Sequence, residues 1–559
     1  MMNKIYRISL YILVVTLLSA FASCEADRRV ESFDTSKSFF DEGETFFDNI
    51  PLKILLHSDL GYNVTYNDNS VYIKIRLSNL QKQISEECEK KFGFPVEFFS
   101  IKRQAGQFDH NDYRVFLDSG EIADLIFPGK INPFWGTDSF HFWIEEFIEK
   151  GYYKDLTPYL RTYCPDVFHN MQKYDFIMDM VTKNDKVYAL YAGAPDVSAL
   201  VLQVKTELLS GYNTSSIRSF DELYTFMEAM DQDGGLNEDN RIHVKPYTLL
   251  EYAVFEAGYY PLTTVLKSFS GLQVVFKADD PDCKPYFIED TEILNLFFEK
   301  FEPFFKRSYF TSESGTGIDT EDHRLNYMQK KLNANIRLTA EVFSNTYYNL
   351  LYSLEGKADS IRQDTLFLFD NDQVFVDTIN GILLIPVPYT STQPEKALVF
   401  VNWLFTDELM AEYLTYGTDK GTFPNYQFDV NGRLSFFPDS FPMYSFCNLI
   451  ANFSDKYIDN KTFDLTEEYV KFTEKAVQPP LYRYLESRHS LEKLDLYYSI
   501  LKEAGFQDRG EYLREAISRM LTDPESGFTA DEIKADLKSL TDYYKMKSYL
   551  EDKLQPIIE

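Results

Sequence analysis

Residues Ser119–Leu160 read SGEIADLIFPGKINPFWGTDSFHFWIEEFIEKGYYKDLTPYL. Ala123 to Phe127 is an apolar run of the length expected for a buried strand of a parallel sheet, and Pro128-Gly129 takes the chain out of that sheet. The loop that follows carries Lys130, Asn132, Phe134 and Trp135 at the carboxyl end of the strand, where open α/β sheets present side chains to ligands. Phe140, Trp143, Ile144, Phe147 and Ile148 then recur at helical spacing, Gly151 supplies a stop, and Thr157-Pro158 predicts an N-cap and first-turn proline of another helix.

The same alternation extends to both sides. Leu52–His57 and Val96–Ile101 are strand-like, Asn79–Phe92 and Tyr113–Ser119 helix-like, which argues for βαβ units. A second block opens at Lys186–Tyr191, crosses Ala192-Gly193-Ala194-Pro195-Asp196 and continues as an apolar strand over Ser198–Val204. Glycine and proline between two strand-like runs mark an interdomain crossing. Ser219 starts a helix to Met230, aromatic-rich helical segments fill Leu249–Ser353, and Asn380–Pro386 forms a strand leading to a helix through Trp403. The chain recrosses there, as expected of an α/β clamshell whose first lobe is interrupted by a second and completed later. Boundaries follow: a first lobe over 51–195 completed by about 380–416, a second over 196–379 completed by about 417–437, and a helical region over 438–559. In the last, Thr529 and Glu532 form a capping box ahead of Ile533, Leu537, Leu540 and Tyr544.

At the other end, Lys4 and Arg7 precede an apolar run from Ile8 to Ala22, too short for a comfortable bilayer span, so residues 1–23 read as a secretory signal. Cys24 follows Phe21-Ala22-Ser23, and residues 24–50 are rich in Asp, Glu, Ser, Thr and Gly, as in a solvated tether. With 87 acidic against 56 basic residues and net charge −31, phosphate backbones and anionic lipid headgroups are repelled, so nucleic acid is not an expected partner. Cys88, Cys164, Cys283 and Cys447 stand in no CxxC pair; two disulfides are arithmetically possible, with buried free thiols the expected state. Asp231-Gln232-Asp233-Gly234-Gly235-Leu236-Asn237-Glu238-Asp239 alternates oxygen ligands as calcium loops do, but Gly235 interrupts it and no glutamate falls at the twelfth position, so it reads as a polar loop. No HExxH, GxSxG, Walker loop or post-strand GxGxxG is present, and among so many carboxylates no pair is diagnostic of a glycosidase. No enzymatic activity and no cofactor are expected.

The sequence around Cys24 resembles the lipobox of bacterial lipoproteins, with Phe21 where leucine is usual. SGEIADLIF, FIEKGYYKDLTPYL, DKVYALYAG, SFDELYTFMEAM, NGILLIPVPYTSTQPEKALVFVNWLFTDE and LTYGTDKGTF occur, in that order, over residues 1 to about 425. This order resembles the extracellular solute-binding lipoproteins of bacterial ABC importers, in particular the oligosaccharide-type branch, and TADEIKADLKSLTDYYKMKSYLEDKL is similar to that branch's closing helix. The chain departs from the branch at Val204-Lys205-Thr206-Glu207 and at Lys330-Lys331-Leu332-Asn333-Ala334, so no particular ligand is carried over. The resemblance implies a type II periplasmic-binding-protein-like fold, a monomer lipidated at Cys24 and held on the outer face of the cell membrane, a sugar gripped between two lobes, and an ABC permease as partner. The alternative is the same clamshell serving as a surface glycan-binding or sensory module without a transporter.

Sugar recognition needs aromatic faces and planar polar groups, because buried polar groups left unpaired by the wrong sugar cost more than correct pairing gains. Trp135 is the candidate stacking platform, with Lys130 and Asn132 as polar partners; capping of the core is its other reading. Trp143 and Trp403 fall inside helices and read as core. His57, with Ser58 and Asp59, ends the first strand where the family often places a polar contact, a surface loop being the equal alternative. Asp196 sits in the crossing, where both lobes could share it or where it caps a turn. Asn335, Arg337 and Glu341 follow the degenerate turn of the second lobe and are candidates for ligand contact, a solvated face being the favoured alternative, and Tyr389 and Tyr416 are further aromatic candidates.

Overall fold

The structure, a computed structural model, describes residues 47–56, 70–100, 110–127, 144–192, 197, 200–261, 273–312, 334–339, 364–370, 375, 384–407, 409–410, 413–414, 426–428, 434–436, 472, 475, 477–480, 506–523 and 528–540. The chain forms two compact units, Met1–Phe46 and Phe47–Glu559, and every element below belongs to the second.

The first lobe is built on β1 (Leu52–Leu56), β2 (Val96–Ser100) and β3 (Leu125–Phe127), parallel and in the order β2-β1-β3. Leu52, Ile54, Leu55, Leu125, Ile126 and Phe127 are all fully buried, as expected of a parallel sheet covered on both faces. Helices Ser70–Phe92 and His110–Ser119 connect these strands. The first of them starts well before the predicted Asn79, because Val71, Ile73 and Ile75 carry weak helix propensity and mask its opening turns in the sequence.

Beyond helix Thr157–Tyr163 the chain makes a tight hairpin, β4 (Thr182–Lys183) with β5 (Lys186–Val187). Its two-residue turn places Asn184 (φ 52°) and Asp185 (φ 60°) in the left-handed region, the conformation that matches the twist of paired strands. Thr157 is not the cap its sequence suggests. It is the first helical residue; Asp155 Oδ1 accepts from its N–H at 3.0 Å, while its own Oγ1 accepts from Val187 N–H at 2.9 Å and ties helix to hairpin.

β6 (Ala189–Tyr191) precedes the crossing into the second lobe, whose strands are β7 (Val201–Lys205), β8 (Ile242–Val244), the separate antiparallel meander β9 (Tyr259–Pro261), β10 (Val274–Lys277) and β11 (Pro285–Phe287), then β12 (Phe310–Ser312), β13 (Ile336–Thr339) and β14 (Asp364–Leu368). The main sheet runs β12-β8-β13-β7-β14. β12, β8 and β13 are parallel, and β7 lies antiparallel to both β13 and β14. β15 (Leu384–Pro386) then returns to the first lobe, lies against β3 and pairs antiparallel with β6.

In the first lobe the β15-β6 pair lies beside β3 of the β2-β1-β3 sheet, in the second one sheet runs β12-β8-β13-β7-β14, and the two lobes exchange strands. β7 follows directly on the first lobe's β6 yet completes the second sheet; β15 follows the second lobe's β14 yet completes the first. This reciprocal threading is the two-lobed, type II periplasmic-binding-protein-like α/β fold expected from the sequence.

Helix Pro394–Thr406 runs through the first lobe with nearly all its residues buried. Asn402, fully buried, holds the start of helix Pro165–Met171: its Oδ1 accepts from Asp166 N–H (3.0 Å) and Val167 N–H (3.2 Å), and its Nδ2 donates to Asp166 Oδ2 (2.8 Å). Asn402→Ala strands these groups in a dry site and is expected to cost about 1–3 kcal/mol, read as a lower urea midpoint. Trp403 is core, as expected, with its Nε1 donating to Asp407 at 2.9 Å and its ring edge-on to Phe92 at 5.6 Å. Cys88, Cys164 and Cys283 are buried free thiols, and burial pushes the thiol pKa of both Cys88 and Cys164 up.

Two C-terminal helices, Phe506–Thr522 and Ala530–Ser539, do not stand apart. Leu513, Ala516, Ile517, Met520, Ile533 and Leu537 belong to the same core as Phe220, Phe297, Phe301 and Phe304 of the second lobe. The predicted Thr529–Glu532 capping box is present, with Glu532 N–H donating to Thr529 Oγ1 and Thr529 N–H to Glu532 Oε2.

Candidate functional site: the carboxyl ends of the two sheets

Parallel strands deliver their loops at their carboxyl ends, and in this fold those ends are Leu56, Ser100 and Phe127 in the first lobe and Val244, Ser312 and Thr339 in the second. Leu56 is in register with both Ser100 and Phe127, so the chain leaves β1 and β3 from neighbouring points about 4.8 Å apart. The last described residues before the His57 segment and before the Lys130–Asn132–Trp135 segment, Leu56 and Phe127, are thus neighbours. His57, Lys130, Asn132, Trp135, Trp143, Asp196, Glu341 and Tyr416 themselves lie outside the described residues, as does Cys24.

In the second lobe, Arg337 on β13 is in register with Gln203 of β7 and His243 of β8, and His243 with Thr311 of β12. These four form a polar row across the sheet. Their chain neighbours Ile336, Leu338, Leu202, Val204, Ile242 and Val244 all point into the apolar core on the opposite face. Arg337 and Gln203 are buried, which places a guanidinium within the packed sheet rather than in solvent. Thr339, two residues further along and on the same face, ends β13. It is fully buried, and its Oγ1 has no hydrogen-bond partner among the described residues. A buried hydroxyl in that state at the end of a parallel strand is an acceptor and donor in search of a partner. In the sequence Thr339 is marked only by its position, the polar residue closing the strand after Leu338. Asn335 sits at the other end of β13, donating through Nδ2 to Asn240 Oδ1 at 2.5 Å.

Tyr389 is placed elsewhere. β15 runs antiparallel to β6, so the chain leaves it at the edge where β1 and β3 begin: Gln393 donates to the Pro51 carbonyl at 3.2 Å, and Ser391 donates to Asp124, the residue before β3, at 2.9 Å. Tyr389 Oη donates to the Leu117 carbonyl at 3.3 Å on that same edge, opposite the strand ends that carry the other candidates.

The Asp231–Asp239 loop is a polar turn that keeps its oxygens for the protein. Asn237 caps the short helix Glu238–Asn240, Asn240 Nδ2 donates to the Gly235 carbonyl at 2.7 Å, and Asp231 Oδ2 accepts from Tyr309 Oη at 3.2 Å with Arg307 at 3.9 Å. No group of three or more His, Cys, Asp or Glu side chains poised for a metal occurs among the described residues. Burial, and then the adjacent Asp231 carboxylate, push the Tyr309 phenol up to about 12. A raised pKa means that the neutral phenol stabilises the fold below pH 10, the ordinary value, and that this contribution is lost as pH climbs through about 12. Asp231→Asn is expected to bring the Tyr309 titration down, seen in the ultraviolet absorbance of the phenolate.

No protein-family model matches the chain, and no curated protein does either. Solved structures similar to it are extracellular solute-binding proteins. The N-glycan transport solute-binding protein NgtS of Streptococcus pneumoniae is 16% identical, covering 91% of this chain and 99% of its own, with a TM-score of 0.49. An extracellular solute-binding protein of Bifidobacterium longum subsp. infantis is 11% identical over 91% and 98% of the two chains, with a TM-score of 0.45. A family 1 extracellular solute-binding protein of Alicyclobacillus acidocaldarius is 12% identical over 85% and 100%, with a TM-score of 0.44. No helix among the described residues is long and apolar enough to cross a membrane.

Proposed function

We propose that this chain is a lipid-anchored extracellular receptor that captures an oligosaccharide between its two lobes and hands it to an ABC permease, with no reaction of its own. The observation that carries this reading is the strand exchange: β7 follows β6 but joins the second lobe's sheet, β15 follows β14 but pairs with β6, and each lobe has a set of parallel strand ends. Such a pair of halves closes on a solute by rotation about the crossings. The ligand class rests on the ordered sequence motifs of the oligosaccharide-type branch and on Trp135, whose loop springs from β3 beside the stem of His57.

In this reading Trp135 stacks on a sugar ring, Lys130, Asn132 and His57 pair its hydroxyls from the first lobe, and Asp196, Arg337, Glu341 and Thr339 complete the pairing from the crossing and the second lobe. Thermal melting of the mature chain against oligosaccharides and peptides tests it. A ligand present at 100 times its Kd is expected to add about 2.7 kcal/mol to the stability, whereas flat curves together with sugar release from a polysaccharide would favour a hydrolase. Trp135→Ala is expected to weaken binding roughly tenfold, the worth of about 1.4 kcal/mol of lost ring stacking, while Tyr389→Ala leaves the Kd unchanged. Isothermal titration of the two variants decides between stacking platform and core cap.

A further inference from the structure

Five large apolar side chains are exposed among the described residues, and four of them gather at one place. Ile50 (55% exposed) precedes β1, Ile122 (49%) precedes β3, Val115 (64%) lies on the helix leading to β3, and Tyr389 (46%) follows β15. By topology these positions lie toward the edge of the first lobe opposite its carboxyl strand ends, where hydrogen bonds join neighbouring segments: Tyr389 Oη to the Leu117 carbonyl, Thr390 Oγ1 to the Glu121 carbonyl. Soluble surfaces scatter such residues singly, and a gathered set marks a contact surface.

Three observations select the occupant. First, the chain enters this lobe at the same edge. Phe47 packs edge-on to Phe94 at 5.5 Å, and Lys396, buried over the Phe94 ring, donates to the Asp48 and Ile50 carbonyls at 3.0 and 2.9 Å and to the Asp48 carboxylate. Phe47 stands 23 positions (47 minus 24) after Cys24, a covalent reach of at most about 80 Å. Second, the carboxylate at the entry point, Asp48, is paired with the buried Lys396, and Glu146 with Lys150. Third, the patch lies on one lobe only, away from the strand ends, so lobe closure leaves it unchanged. A permease that must sense closure gains nothing by docking there.

We infer that this edge of the first lobe rests on the lipid bilayer, with Ile50, Val115, Ile122 and Tyr389 seated among the headgroups close to the point where the anchored segment joins the body. Aliphatic side chains around an amphipathic tyrosine are the composition that settles at a bilayer interface. The inference rests on the lipid-anchored reading above.

The test uses an environment-sensitive dye at position 115 (V115C) and, as control, at the fifth exposed apolar position (V477C), in a C447S background; Cys88, Cys164 and Cys283 are buried and escape labelling. On phosphatidylcholine vesicles the lipidated chain is expected to show blue-shifted emission at 115 and several-fold stronger quenching by brominated lipid there than at 477. Adding I122E and Y389E should abolish the difference in a chain whose circular dichroism spectrum still matches that of the parent. Equal quenching at both positions on vesicle-bound protein overturns the docking and leaves the anchor standing, and a shift that appears only with permease in the vesicles, or in solution as protein concentration rises, overturns it as well. Failure to float with vesicles removes the anchor reading alone. The labelled chain with residues 1–24 replaced by a polyhistidine sequence, held on nickel-chelating lipid, then decides the docking by the same two dyes.

Discussion

Replacing Arg509 with alanine is expected to lower the unfolding free energy by about 3–5 kcal/mol, because it leaves a carboxylate buried without its cation. Arg509 is 1% exposed and Glu289 2%. The guanidinium donates to Glu289 Oε1 and, at 2.7 Å, to the Leu537 carbonyl, and it lies over the Phe287 ring at 4.9 Å. One side chain on the first described C-terminal helix thus holds the Ile288–Asp290 turn of the second lobe and the end of the last described helix at once. The paired variant R509M/E289M separates charge from packing. With both charges gone and the volume filled, stability is expected to return close to that of the parent or above it. A urea titration followed by circular dichroism reads all three; a double variant as weak as R509A would show that geometry rather than charge balance matters here.

Phe220→Ala is the second large effect, about 3–5 kcal/mol from lost transfer energy and the cavity left behind. The ring of Phe220 meets Tyr252 at 4.8 Å, Phe301 at 4.7 Å and Phe369 at 4.9 Å, all edge-on, and Lys300 Nζ lies 5.9 Å away. Phe369 directly follows β14, where the chain turns back toward the first lobe, so the cavity opens beside a crossing. Loss of the ring should therefore speed amide exchange in β14 as well as lower the midpoint. Phe220→Leu, which fills part of the space, should show a smaller loss.

Much of this architecture was legible in the sequence where local chemistry is unambiguous. The apolar runs at Leu52, Val96 and Ala123 became β1, β2 and β3; Ser219 became a true N-cap, accepting from Glu222 N–H at 3.2 Å; and Thr529–Glu532 became a capping box. What failed did so where partners are distant in sequence. Nothing near Thr157 announces that its hydroxyl serves Val187, thirty residues on. The membership of Leu513 and Ile517 in the second lobe's core depends on contacts more than 200 residues away, beyond the reach of any periodicity. For the site, composition identified which residue types belong at strand ends, but Tyr389 was misplaced because the direction of β15 is set by its pairing with β6 and not by its own residues. Thr339 went unnoticed because burial of a lone hydroxyl is a property of the packed sheet.

The interleaving of the two sheets also sets a schedule for synthesis. The first lobe stays open at one flank until Leu384–Pro386 has been made, and the second lacks part of its interior until Leu537 has. Neither half can therefore reach its native state while the ribosome is still working through the middle of the message. A polypeptide built this way exposes unpaired strand flanks through much of its synthesis and depends on later segments to cover them.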